Sequence, residues 1–174
     1  MYKIEDNSDK ICSLYVNEMH LVVMLMPYIE ENLEKNEKIV TMFEKDLNGE
    51  LNTLLDRTNF DNKKKDRIKK INWSEKRLDD IEKIKDGLEN KIVIINGSRE
   101  YEERVNNTIK GTNTKIINCI KLDDFENRAG EILSKHNKIL NTLGEQKISD
   151  VFHVDLRVDD NKISASEHCS PLQG

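Results

Sequence analysis

The sequence predicts an α/β fold: a mostly parallel sheet of about five strands with helices on both faces, in one doubly wound domain. Three observations carry this expectation. Short β-rich runs alternate with longer amphipathic runs along the chain. The run Lys91–Ile95 (KIVII) is almost wholly β-branched, the pattern of a strand covered on both faces. Finally, 174 residues suffice for one core but leave too few on either side of any break for two.

The elements follow in order. Ile11–Val16 (ICSLYV) reads as the first strand. Glu18 to Lys35 is helical, with Leu21, Leu25, Tyr28, Ile29 and Leu33 on one face and Pro27 inside it as an expected kink. Lys38–Phe43 is the second strand and Leu47–Arg57 a shorter helix. Asn62–Lys70 (NKKKDRIKK) is strongly basic and lies within a charged helical insertion at about 59–89. Ser74 is expected to cap the next helix, whose stripe is Leu78, Ile81, Ile84 and Leu88. After the strand Lys91–Ile95, Asn96-Gly97-Ser98 makes a turn into a helix reaching Lys110. Thr114–Ile120 is the fourth strand. A long helix is expected from Asp123 to Leu143, ended by Gly144, and a fifth strand over Ser149–Val158. Asp159-Asp160-Asn161 suggests a hairpin turn into Lys162–Ser164. The domain is expected to span residues 1–160, with 161–174 as a flexible tail.

Composition excludes several classes. The chain is 36% apolar and 35% charged, with two prolines and seven glycines, unlike a Pro/Gly-rich disordered chain or a collagen. Its longest apolar run, Leu21 to Tyr28, is far short of a membrane span. The opening MYKIEDNSDK has acids where a secretory signal would turn apolar, so a cytoplasmic location is expected. Cys12, Cys119 and Cys169 are odd in number and scattered, which suits reduced thiols rather than a disulfide framework. A net charge of −5 argues against a general nucleic-acid surface, and no direct nucleic-acid or membrane partner is expected.

Few residues suggest chemistry. The patterns GxxxxGK[ST] and GxGxxG are absent, and Gly111–Lys115 precedes a strand instead of following one. The best local candidate is Asn96-Gly97-Ser98-Arg99, which joins a buried strand to a helix N-terminus where free N–H groups favour an anion. Turn formation by Gly97 and capping by Ser98 explain the same residues without a ligand. Cys12, His20, Cys119, His136, His153, His168 and Cys169 show no metal-ligand spacing, so no metal and no cofactor are expected. Asp79-Asp80, Asp123-Asp124 and Asp159-Asp160 are sequence neighbours, not acid/base pairs, and Asp123-Asp124 suit a first helical turn. No catalytic residue is assigned. The patch Lys63, Lys64, Lys65, Arg67, Lys69 and Lys70 is a candidate surface for an acidic partner; a solvated helix face explains it as well.

The segment KICSLYVNEMHLVVMLMPYIEENLEKNEKIVTMF resembles the opening of the MEDS domain, the methanogen/methylotroph DcmR-like sensory domain. The residues that carry the likeness are Leu14-Tyr15, Pro27-Tyr28, Asn32-Leu33, Asn36-Glu37 and Ile39–Phe43, within about the first 45 residues. A histidine usually precedes the first strand of that family; here Lys10 and Ile11 stand there, and Asn32 replaces a glycine. The resemblance implies a three-layer domain related to RecA-like ATPases without their P-loop, occurring alone or beside DNA-binding or kinase modules. The function it implies is a stand-alone, non-catalytic sensory domain that binds a small organic ligand and signals to a kinase or transcription regulator. Tyr15 and Asn96–Arg99 are the candidate ligand residues, and a homodimer through a sheet edge is a further candidate assembly. A ligand-free protein-protein adaptor and a degenerate nucleotide-binding protein without hydrolysis are the alternatives.

Overall fold

The structure, a computed structural model, describes residues 9–152. Its strands are β1 (Asp9–Tyr15), β2 (Ile39–Phe43), β3 (Ile92–Asn96), β4 (Lys115–Lys121), β5 (Lys138–Asn141) and β6 (Gly144–Lys147). They form one six-stranded sheet in the order β2-β3-β4-β1-β5-β6. All pairings are parallel except the β5–β6 hairpin. The helices are α1 (Glu18–Glu34), α2 (Asn48–Arg57), α3 (Asn62–Lys69), α4 (Leu78–Ile84), α5 (Arg99–Ile109), α6 (Leu122–Lys135) and the single turn α7 (Ile148–Val151).

Strand alternation sorts the core into two layers. Ile92 and Ile94 of β3, Ile117 and Cys119 of β4, and Ile11 and Tyr15 of β1 face α1, α2 and α3. Val93 and Ile95, with Ile116, face α4 and α5. Cys12 and Ile120 continue that second face beneath α6 and α7. This is the three-layer α/β sandwich that the alternating pattern predicts. Cys12 and Cys119 are buried strand residues, and burial pushes the Cys12 thiol up to about 12, so both act as small core hydrophobes.

α3 is made from the basic run. Asp61 caps it by accepting from the Lys64 N–H at 2.8 Å, and Ile68 supplies its buried side. Lys64 and Arg67 reach Glu30 and Glu34 of α1. With no acid in its first turn and cations along its length, α3 depends on that cap. Asp61→Ala is expected to cost about 1 kcal/mol in denaturant unfolding, and Asp61→Ser to recover most of it.

Three expectations are corrected. Ser74 does not open a helix: α4 starts at Leu78 behind Arg77, with no side-chain cap. The intervening chain is tied to β2 instead. Thr41 Oγ1 donates to the Asn72 carbonyl, Leu47 N–H to that of Trp73 (2.8 Å), and Lys76 N–H to that of Phe43 (2.7 Å). These bonds keep the backbone extended where local propensity favours a helix. Ser74 Oγ accepts from Asn48 Nδ2 at 2.9 Å.

The helix expected to reach Leu143 ends at Lys135. Ile139 and Leu140 fit a helical stripe equally well in sequence, but here they belong to β5, paired with β1. Gly144, at φ +102, closes the two-residue loop Thr142-Leu143 between β5 and β6 rather than a helix. The fifth strand therefore comes from Lys138–Asn141, and Ser149–Val151, expected to open a fifth strand reaching Val158, belong to α7 instead. Phe152 follows α7 as its C-terminal cap, and residues 153–158, the hairpin at Asp159–Asn161 and the tail 161–174 lie outside the described residues.

Candidate functional site

In an open parallel sheet, ligands bind beyond the strand C-termini where adjacent strands send their connections to opposite faces. Here those strands are β1, which leads to α1, and β4, which leads to α6 beneath the other face. They run in register to Tyr15 opposite Lys121. The next residue on each chain is apolar and exposed: Val16 at 56% and Leu122 at 38%.

The turn from β1 to α1 is only Val16 and Asn17. Asn17 Oδ1 accepts from the His20 N–H at 2.9 Å, and the Val16 N–H donates to His20 Nδ1 at 3.0 Å. These groups are satisfied within the turn, which has no glycine and no room for the backbone cradle a phosphate needs. Glu18 Oε1 lies 3.9 Å from Lys121 Nζ across the crevice.

Tyr15, the last residue of β1, is buried. Its hydroxyl accepts from Asn96 Nδ2 at 2.7 Å, joining β1 to β3 beneath β4. Burial raises its pKa against the opposing Asn96 bond, and Cys119, Glu18 and Asp124 push the same way. The structure therefore brings two of the sequence candidates, Tyr15 and Asn96, together in a neutral hydrogen-bonded pair.

The rest of that candidate site is occupied from within. Glu44, the residue after β2, lays its carboxylate over the N-terminus of α5: Oε2 accepts from the Ser98 N–H at 2.5 Å, and Oε1 from Ser98 Oγ at 3.2 Å. Ser98 also caps α5 by accepting from the Tyr101 N–H. A Cβ on Gly97 would lie 2.6 Å from the Tyr101 ring and 2.8 Å from Glu44 Oε2, so this position accepts only glycine unless its neighbours shift. Arg99 turns along α5 to Glu103 and across to Glu131 of α6, each at 3.0 Å. The anion that the helix terminus attracts is thus an internal carboxylate.

Beside it lies a cavity of about 300 Å³ lined by Glu44, Glu75, Lys76, Arg77 and Tyr101 among others. Tyr101 donates its hydroxyl to the Lys76 carbonyl at 2.6 Å. Burial lowers the Lys76 pKa, opposed by Asp80. A larger depression of about 410 Å³ lies at the opposite ends of the strands, lined by polar groups of Asn32, Asn90, Asn113 and Lys115 among others.

Lys63, Lys69 and Lys70 of the basic run are exposed, Lys65 is half-buried, and Lys64 and Arg67 are engaged with α1. Among the described residues no group of three or more His, Cys, Asp or Glu side chains could hold a metal ion; His153, His168 and Cys169 lie outside them. No described helix is long and apolar enough to cross a membrane.

Two features escaped the sequence reading. Glu44 carried a local signal, an acid directly after a strand at the ligand-binding edge, but its partner Ser98 is distant in sequence. The other is a polar seam within the second face, where Asn118 is buried in the middle of β4. No protein-family model matches the chain, and no curated protein and no solved structure matches it either.

Proposed function

We propose that the chain is a non-catalytic sensory or regulatory domain that takes a small organic molecule at the β1–β4 crevice and signals through a partner protein such as a kinase or transcription regulator. The observation that carries this reading is the pair Val16 and Leu122, exposed at the point where the strand order reverses. Apolar side chains there, over a buried Tyr15–Asn96 pair, suit a ligand with an apolar body and little negative charge. The short turn after β1 is in keeping with a MEDS-like, RecA-related domain without a P-loop. Glu44 over the α5 terminus weighs against the degenerate nucleotide-binding reading, because a polyphosphate would have to displace a carboxylate.

The adaptor reading has less support. Of the large apolar residues of the 62–89 segment, Ile68, Trp73, Ile81 and Leu88 are buried, and Ile71, Leu78 and Ile84 are half-buried against the core instead of forming an exposed docking stripe. The exposed lysines of α3 remain the surface on which an acidic partner would be sought. Of the sheet edges, β2 is engaged at its last residue, where the Lys76 N–H bonds the Phe43 carbonyl, so β6 is the edge through which a homodimer by strand pairing would be sought first.

A thermal-shift screen of small organic molecules tests the proposal. A binder at 100 times its dissociation constant should stabilise the protein by about 2.7 kcal/mol. Val16→Asp and Leu122→Asp, both at exposed positions, should abolish the shift while changing the stability of the free protein by no more than about 0.5 kcal/mol. A screen with no stabilising compound, or shifts that survive both substitutions, would overturn it.

A further inference from the structure

Between the two apolar clusters of the second face runs a chain of hydrogen bonds from α5 through β4 to the end of α6. Asn106 Nδ2 donates to the Glu102 carbonyl at 2.8 Å and to Asn118 Oδ1 at 2.9 Å. Asn118 Nδ2 faces His136 Nε2 at 2.9 Å, and His136 Nδ1 faces the Ile132 carbonyl at 2.6 Å. Both ends of the chain are backbone carbonyls, which only accept. Its direction is therefore set: His136 donates from Nδ1 and accepts at Nε2. Turning the Asn118 amide over would require Asn106 to turn as well, and that would set the Asn106 oxygen against the Glu102 carbonyl. The chain accommodates the neutral imidazole alone, since a proton on Nε2 would meet the Asn118 N–H head-on.

His136 stands where this matters mechanically. It is the residue that ends α6, and β5 begins two residues later, at Lys138. α6 is itself broken at Arg128, which has non-helical backbone angles (φ −130, ψ 17). Arg128 is nearly buried, with Glu131 at 3.5 Å and Glu102 at 4.0 Å. The half-helix Arg128–Lys135 thus hangs between two polar attachments, one at each end.

We propose that His136 is a proton-operated latch: neutral, it holds the second half of α6 and the head of β5 against the sheet, and acidification releases that segment.

The surroundings favour release. Burial lowers the His136 pKa below its ordinary 6.5, opposed by the Ile132 bond, and Lys10 of β1 with Lys135 and Arg128 of α6 act in the same direction as burial. On the α5 side stands Glu102, which burial pushes up to about 7 against the pull of Arg128, with Glu103 and Glu131 adding to the rise and Lys135 opposing it. The two groups respond to acid with opposite signs. A depressed imidazole pKa means stability that is present above 6.5 and lost as pH falls toward the folded value. A raised carboxyl pKa means stability that is present below 4.5 and lost as pH rises through about 7. Loosening on acidification therefore cannot come from Glu102.

The test begins with the unmodified protein. Imidazole NMR should show His136 with its proton on Nδ1 at neutral pH and titrating below 6.5. Hydrogen exchange over 128–141, corrected for intrinsic rates, should speed up in the parent relative to His136→Gln by about tenfold for each pH unit below 6.5 until His136 itself titrates. Strand β3 should not follow. His136→Gln, which cannot titrate, should lose this acceleration whatever its effect on stability, and above 4.5 keep only the opposite response of Glu102. An Nε2–H tautomer at neutral pH, a His136 pKa at or above 6.5, or exchange in 128–141 whose pH dependence above 4.5 is the same in the parent and in His136→Gln would each overturn the proposal.

Discussion

Trp73→Ala is expected to cost about 3–5 kcal/mol, a large share of the roughly 5–15 kcal/mol by which a domain is ordinarily stable. Trp73 is among the largest fully buried side chains, at 1% exposure. Its ring centroid is 5.8 Å from that of Phe43, and its indole N–H donates to the Ile68 carbonyl at 2.9 Å. One side chain thereby joins the end of α3 to the end of β2. The loss would not stay local. The Trp73 carbonyl accepts from the Leu47 N–H, and three residues later the Lys76 N–H bonds the Phe43 carbonyl at the end of β2. Tyr101 in turn donates to the Lys76 carbonyl. Trp73→Phe should lose less, about 1–3 kcal/mol, for the indole hydrogen bond and the smaller ring, since the Ile68 carbonyl keeps the Ile71 N–H at 3.3 Å. Urea unfolding followed by circular dichroism measures both variants. Equal stability of Trp73→Ala and the parent would refute the packing account.

Gly97→Ala is the second large effect. The added methyl would meet the Tyr101 ring at 2.6 Å and the Glu44 carboxylate at 2.8 Å, and Tyr101 is 3% exposed and pinned by its hydroxyl. Overpacking of this kind costs about 1–3 kcal/mol. Glu44→Ala removes two hydrogen bonds to Ser98 and should cost about 1–2 kcal/mol by itself. The two substitutions should couple, because removing the carboxylate relieves part of the clash. The double variant is expected to be less destabilised than the sum, measured as a double-mutant cycle in urea. Strict additivity would mean that Glu44 does not lie over Gly97.

The fold was legible because strand and helix periods differ and most segments show only one. KIVII and TKIINCI have no helical reading of comparable strength, and the Ser98 cap announces α5. The misreadings share one physical origin. In ILSKHNKIL the apolar residues satisfy both a helix stripe and a strand, and pairing with β1 decides between them. At Trp73–Arg77 the decision falls to backbone bonds with β2, whose donors and acceptors are remote in sequence. The site was legible in part for the same reason. Tyr15 and Asn96 are strand-end residues, but their union across β4 needs the strand order. That α5 already holds an anion depends on Glu44, some fifty positions from Ser98.

Amide chemical-shift mapping on the isotope-labelled protein tests the central claim most directly, since one spectrum reports both edges of the site. Titration with a stabilising organic compound should move the signals of Val16, Glu18, Leu122 and Asp124, while ATP at the same concentration leaves Gly97, Ser98 and Arg99 unmoved. Saturable ATP shifts at Gly97–Arg99, or an organic ligand that leaves Val16 and Leu122 untouched, would contradict the account.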